Sequence, residues 1–148
     1  VVYALESFRA PQAPLAFADQ QLQPIDGETV TLAALSEQRP LLIYFWASWC
    51  GICRYTTPAV AEMAAEGANV LSVALRSGEA QNITDYLQAK GYSLPVVNDK
   101  TGALSSSWQV GVTPTLVIIN KGQVVSTTTG WTSSWGMKLR LWWAEKKA

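Results

Sequence analysis

The 148-residue chain carries two cysteines, Cys50 and Cys53, separated by Gly51 and Ile52. Thiols at this spacing support dithiol–disulfide exchange. The first attacks a partner's disulfide as a thiolate, and the second releases the product by displacing the resulting mixed disulfide. An ordinary cysteine titrates at about 8.5, whereas the first cysteine of such a motif falls to roughly 3.5–7.5, so a useful fraction is nucleophilic at neutral pH. Gly51 and Ile52, between the two sulfurs, tune the reduction potential.

Other uses of the pair are open at this point. A structural disulfide would close so short a loop that its stabilisation falls near the bottom of the usual range of about 2–4 kcal/mol. A structural zinc site wants four Cys or His ligands, and this chain has two cysteines and no histidine. A copper(I) site needs only two soft thiolates, so a copper(I)-binding module is the alternative from a different functional class.

The elements flanking the pair say how it is held. Residues 41–47, LLIYFWA, are a seven-residue apolar run, too short to span a membrane and rich in residues that suit a pleated surface, which predicts a buried strand. From Cys53 the pattern becomes helical as far as Glu66, with Val60, Met63 and Ala64 on one face. Pro58 inside it removes a backbone hydrogen bond and bends it, and Gly67 ends it. A strand-to-helix transition puts the first sulfur at a helix N-terminus, where unpaired N–H groups and the helix dipole favour an anion.

With these residues in place the sequence resembles the thioredoxin superfamily. The motif FWASWCGIC, Pro58 eight positions after Cys50, and Val112-Thr113-Pro114-Thr115 follow one another in that superfamily's order. The long interval between Cys53 and Pro114, and the extended start FADQQLQPIDGETVTLAAL, are similar to the TlpA/ResA/CcmG-like branch. YFW before the motif and CRYTTP within and after it most resemble the ScsD-type proteins of suppressor-of-copper-sensitivity systems.

The resemblance implies an α/β thioredoxin-like fold with an N-terminal β-hairpin extension and a central helix–strand insertion. It implies Cys50 as the attacking thiolate and Cys53 as the resolving thiol, with no cofactor and no metal. Pro114 would be a cis-proline facing the cysteines, a state in which about 5–6% of X–Pro bonds occur. The Thr113 backbone would then pair with an extended substrate segment, as in strand addition. Trp49 either offers a docking surface to a partner or packs against its own chain. Two departures stand out: Tyr44 where many thioredoxins have a buried aspartate, and Thr56 where ResA and CcmG proteins often have a glutamate. A carboxylate at either place would help move the resolving thiol's proton, and the motif here names no such group.

Composition sets limits around this. A chain of 148 residues is of single-domain size and buries roughly 70% of its unfolded surface, so it needs neither disulfide nor metal to hold a core. Eleven basic and eleven acidic residues cancel, and no basic stripe is present, which argues against nucleic acid as a partner. No apolar run reaches the ~18 residues of a membrane span. The start at Val1 points to a removed upstream anchor, with residues 1–14 as a tether and 15–148 as the thioredoxin-like domain. The partners expected from the resemblance are protein thiols or disulfides and a membrane electron donor of the DsbD/ScsB type, in the periplasm. An oxidase of the same family is the neighbouring possibility.

Elsewhere, short segments around Pro24-Ile25-Asp26-Gly27 predict a hairpin, followed by a helical turn at 32–36. A strand is expected at 69–75, a helix opened by Ser77-Gly78 and closed by Gly91, and an extended piece at 94–97. Asn98-Asp99 should cap a brief helix reaching Ser107. A strand at 115–120, a turn at Lys121-Gly122 and a partner strand at 123–129 precede a final helix from Ser133 or Ser134 to about Lys146.

Overall fold

The computed structural model of the chain describes residues 21–25, 27–51, 53–108, 110, 114–121 and 123–129. The tether at 1–14, the start of the hairpin, Asp26, Ile52, Thr113, Gly122 and the final helix expected after Ser133 lie outside the described residues.

The chain order is β1 (Gln21–Leu22), β2 (Val30–Thr31), α1 (Leu32–Leu35), β3 (Leu41–Trp46), α2 (Cys53–Ala65), β4 (Val70–Leu75), α3 (Ala80–Lys90), β5 (Val96–Asp99), α4 (Ala103–Ser107), β6 (Thr115–Asn120) and β7 (Gln123–Thr129). β1 and β2 form a two-stranded antiparallel sheet, and the other five strands a mixed sheet in the order β5-β4-β3-β6-β7. β3 lies parallel to β4 and antiparallel to β6.

β3 is the middle strand, and its side-chain alternation divides the interior in two. Leu42, Tyr44 and Trp46 point to one face, where they meet Cys53, Val60 and Met63 of α2 and Ile83 and Leu87 of α3. Leu41, Ile43 and Phe45 point to the other, against Leu22, Leu32, Trp108 and Val110. All six residues of β3 are buried, which is why the run reads as continuously apolar and not as alternating. Consecutive β-α-β units run β3 to β4 to β5 in one direction across the sheet. The fixed hand of such crossovers therefore puts α2 and α3 on the same face.

The N-terminal hairpin reaches the edge strand: Pro24 bridges Val97, and the Ile25 N–H donates to Val96 O at 2.7 Å. α3 and β5 make the helix–strand unit at that edge. Gly91 ends α3 with φ +75°, a left-handed turn, its N–H donating to the carbonyls of Leu87 and Gln88.

Two expectations need correction, and a third holds through one of its two residues. The helix predicted to open at Ser77-Gly78 begins at Ala80, because the Ser77 hydroxyl is engaged elsewhere, accepting from the Ser48 N–H at 2.9 Å and donating to Leu75 O at 3.1 Å. The extended piece at 94–97 is displaced to Val96–Asp99; Pro95 contributes only its carbonyl, which accepts from the N–H and hydroxyl of Ser72. Asn98 and Asp99 therefore end a strand and do not stand next to a helix. Asp99 caps one all the same, its carboxylate accepting from the N–H groups of Leu104 at 3.1 Å and Ser105 at 2.7 Å.

Candidate active site

The pairing register decides what surrounds the cysteines. β3 and β4 run parallel with Trp46 opposite Ala74, so the residues following both strands emerge at one end of the sheet. β6 runs the other way, with Thr115 opposite Phe45, so Pro114 comes in at that same end. Three segments distant in sequence converge there: 47–51, 75–78 and Pro114, the last of which is buried.

The segment between β3 and α2 is a tight turn. The Cys50 N–H donates to Ala47 O at 3.2 Å and the Arg54 N–H to Gly51 O at 3.3 Å. Residues of the loop after β4 fasten this turn from the side. Besides the bond from the Ser48 N–H to Ser77, the Trp49 indole N–H donates to Arg76 O at 3.0 Å. Arg76 holds a positive φ of +45°, which aims that carbonyl. Its own N–H donates to Asp99 O at 2.9 Å and its Nε to Thr101 O at 3.2 Å. Trp49 is thus held by its edge while the indole stays 62% exposed.

Cys50 is half-buried and Cys53, the first residue of α2, is buried. The Cys53 N–H donates to Cys50 Sγ at 3.3 Å. The Cys50 sulfur thus receives one of the N–H groups that a helix N-terminus leaves without an intrahelical partner, an arrangement that favours its anion. A half-buried sulfur with anion stabilisation above a buried second sulfur is what nucleophilic attack followed by displacement requires.

Gly51 is exposed, and a Cβ built there would meet nothing within 4 Å. Packing does not require the glycine. Ile52 and Thr113 lie outside the described residues. Among the described residues no group of three or more His, Cys, Asp or Glu could hold a metal ion.

Two further groups belong to the site. Tyr55, in the first turn of α2, is 72% exposed and presents an aromatic ring to solvent. Its position was readable: residues 53, 56, 57 and 60 follow helical spacing on the buried face, which turns 55 outward. Beneath the motif, the Tyr44 hydroxyl lies 2.7 Å from Thr57 Oγ1 in a bond where either oxygen can donate. Burial pushes the Tyr44 phenol far above the usual tyrosine range. The Thr57 bond opposes this, while the nearby Cys53 sulfur adds to it. Tyr86 stacks on Trp46 with ring centroids 5.6 Å apart. Its phenol is also raised, first by burial and then by the charges of Tyr92 and Cys53.

The profile of the AhpC/TSA family matches residues 12–128, most of the chain and both cysteines. The chain belongs to the AhpC/TSA family. A thioredoxin-like protein of Haemophilus influenzae is 45% identical over 141 residues, covering 95% of this chain and 84% of the relative. Among solved structures, the pneumococcal exposed lipoprotein thioredoxin Etrx1 of Streptococcus pneumoniae superposes with a TM-score of 0.70 at 29% identity, over 82% of this chain and 96% of its own. A secreted Mycobacterium tuberculosis disulfide oxidoreductase, described as homologous to E. coli DsbE, shares the fold at 18% identity, with a TM-score of 0.69 over 82% of this chain and 93% of its own. This AhpC/TSA member has the thioredoxin-like fold and is a thioredoxin-like thiol–disulfide oxidoreductase.

Proposed function

We propose that Cys50 is the attacking thiolate and Cys53 the resolving thiol of an extracytoplasmic, periplasmic reductant of protein disulfides. The observation that carries this is the Cys50 sulfur, half-buried, receiving the N–H of the buried Cys53 at the tip of α2.

In the first step the Cys50 thiolate attacks one sulfur of a partner's disulfide. A mixed disulfide forms, and the partner's other sulfur leaves as a thiolate and takes up a proton. Cys53 then loses its proton and attacks Cys50 Sγ. The Cys50–partner bond breaks, the second partner sulfur leaves and is protonated, and two electrons have passed from the Cys50–Cys53 dithiol to the partner.

The exposed indole of Trp49 gives an incoming chain an apolar surface next to the exposed Gly51. The Thr113 backbone beside Pro114 pairs with an extended segment of that chain. Extracytoplasmic location draws support from the similar proteins described as an exposed lipoprotein and as secreted. The reductant direction, a membrane donor of the DsbD/ScsB type, tethering through an N-terminal anchor and a link to copper tolerance are drawn from the resemblance to ScsD-type proteins.

Insulin reduction by dithiothreitol, with the parent chain and with Cys50→Ser, tests the exchange: equal rates would end the proposal. A redox equilibrium with glutathione tests the direction. A potential near about −270 mV fits a reductant, and one near about −120 mV would reassign the protein as an oxidant.

A further inference from the structure

We propose that Tyr44 is a positioning residue for Cys53, a neutral hydroxyl oriented by Thr57 that donates its hydrogen to the Cys53 sulfur when that sulfur becomes a thiolate. The inference rests on Cys53 being the resolving thiol.

Its basis is the way β3 and α2 face each other. Cys53 and Thr57 are four residues apart on α2, so sulfur and hydroxyl stand one above the other on the helix's buried face. Tyr44 rises from the middle of β3 into the same cluster as Cys53. Tyr44 is 0% exposed and Thr57 is 1% exposed, so water does not compete for their hydroxyls. The phenol oxygen is bonded to Thr57 Oγ1 at 2.7 Å, and the Cys53 sulfur lies in the same buried cluster, one helical turn from that threonine.

This fixes what Tyr44 can do. Burial holds the phenol in its neutral form well above neutral pH, so no phenolate is there to take the Cys53 proton. A neutral phenol can donate one hydrogen and accept another. While Cys53 is a thiol, the phenol donates to Thr57 Oγ1. When Cys53 is a thiolate, the phenol hydrogen turns to the sulfur and the Thr57 hydroxyl donates to the phenol oxygen. The three groups satisfy one another in both states, and the anion gains a donor that a carboxylate could not supply. The other titratable or charged groups acting on the two tyrosines of this cluster include Cys50, Arg54 of α2 and Tyr92, with Tyr86 itself on α3.

The step it assists is the second exchange. Cys53 releases its proton, its sulfur forms a bond to Cys50 Sγ, and the bond from Cys50 to the partner's sulfur breaks. The partner leaves with the electron pair and takes up a proton. Stabilising the Cys53 thiolate raises the fraction ready to attack at neutral pH.

The test uses the full chain and Ellman's reagent. Attack by Cys50 releases one thionitrobenzoate, and attack by Cys53 on the mixed disulfide releases a second, followed by stopped flow between about pH 5 and pH 9, where thiols titrate. Tyr44→Phe should slow the second release about tenfold at neutral pH and move its profile upward by about one unit, the scale of one hydrogen bond to a charged group. Thr57→Val should shift it the same way by less, and Thr57→Ser should match the parent. The first release should be unchanged throughout. Profiles for Tyr44→Phe and Thr57→Val that overlay the parent's overturn the inference. Should Tyr44→Phe not fold, the near-isosteric Thr57→Val decides alone, and a parent-like profile overturns it. A parent that never releases the second thionitrobenzoate overturns the exchange reading itself, which separates the two failures.

Discussion

Asp99 connects the edge of the sheet to the site, and replacing it should be costly in a defined way. Its side chain is 5% exposed and its carboxylate accepts two backbone N–H groups, Leu104 at 3.1 Å and Ser105 at 2.7 Å. Its carbonyl accepts from Arg76 at 2.9 Å, and Arg76 in turn receives the Trp49 indole N–H at 3.0 Å. Asp99→Ala strands the fully buried Ser105 N–H, at about 1–3 kcal/mol. The half-buried Leu104 N–H can recruit water, adding about 0.5–1 kcal/mol. Removing a desolvated carboxylate returns part of this, leaving about 2–3 kcal/mol. Asp99→Asn keeps one acceptor oxygen and should cost about half as much. In urea unfolding followed by tryptophan fluorescence, Asp99→Ala should lower the midpoint by about 1–2 M with an unchanged slope. A loss below about 1 kcal/mol, or Asp99→Asn as damaging as Asp99→Ala, would refute the capping role.

Further outcomes follow from the same geometry. The Lys100–Glu79 ion pair joins side chains 58% and 66% exposed, so Lys100→Ala should change unfolding stability by less than about 0.5 kcal/mol, measured in the same assay. Gly102 holds φ +83°, and a Cβ there would lie 2.7 Å from Arg76 Nε. Gly102→Ala should therefore destabilise by about 1–3 kcal/mol and loosen the Arg76 bond to Thr101, checked by unfolding and by Trp49 emission. Burial raises the Tyr44 phenol above its unfolded value of about 10, so its contribution to stability is complete below about pH 10 and is lost as pH rises toward the folded value. Urea midpoints should fall above about pH 10 in the parent and fall less in Tyr44→Phe; identical alkaline losses would contradict this.

How much was legible depended on distance along the chain. The exchange motif and the central strand could be read because both are local: two sulfurs at fixed spacing and an apolar run of strand length. Helix ends marked by a single residue were also readable, as with Gly91. The fastening of the motif was not, since it depends on the parallel register of β3 and β4. That register brings Trp49 to Arg76, 27 positions away, and Ser48 to Ser77, 29 away. Ser77 looked like a helix opener because serine competes for backbone groups in many contexts, and the tertiary partner decided which. Tyr44 stood out in the sequence only as a missing carboxylate. The structure shows a hydroxyl pair with Thr57, invisible in one dimension because 13 residues and a turn intervene.

The position of the site follows from the order of the strands. From β3 the chain crosses to β4 on one side, and the neighbour on the other side, β6, is supplied only much later and in the opposite sense. At the C-terminal end of β3 no single connection covers the sheet, and a crevice at such a point is where open α/β sheets hold their chemistry. α2 begins at that end, so the N–H groups of its first turn and the Cys50 sulfur stand at the end of the sheet where Pro114 enters β6. The cysteines need not be exposed loop residues to be reachable. The strand order opens the approach, the loop after β4 holds Trp49 at its rim, and the buried face of α2 keeps Cys53 against Tyr44 and Thr57, where its charge can be met by a donor.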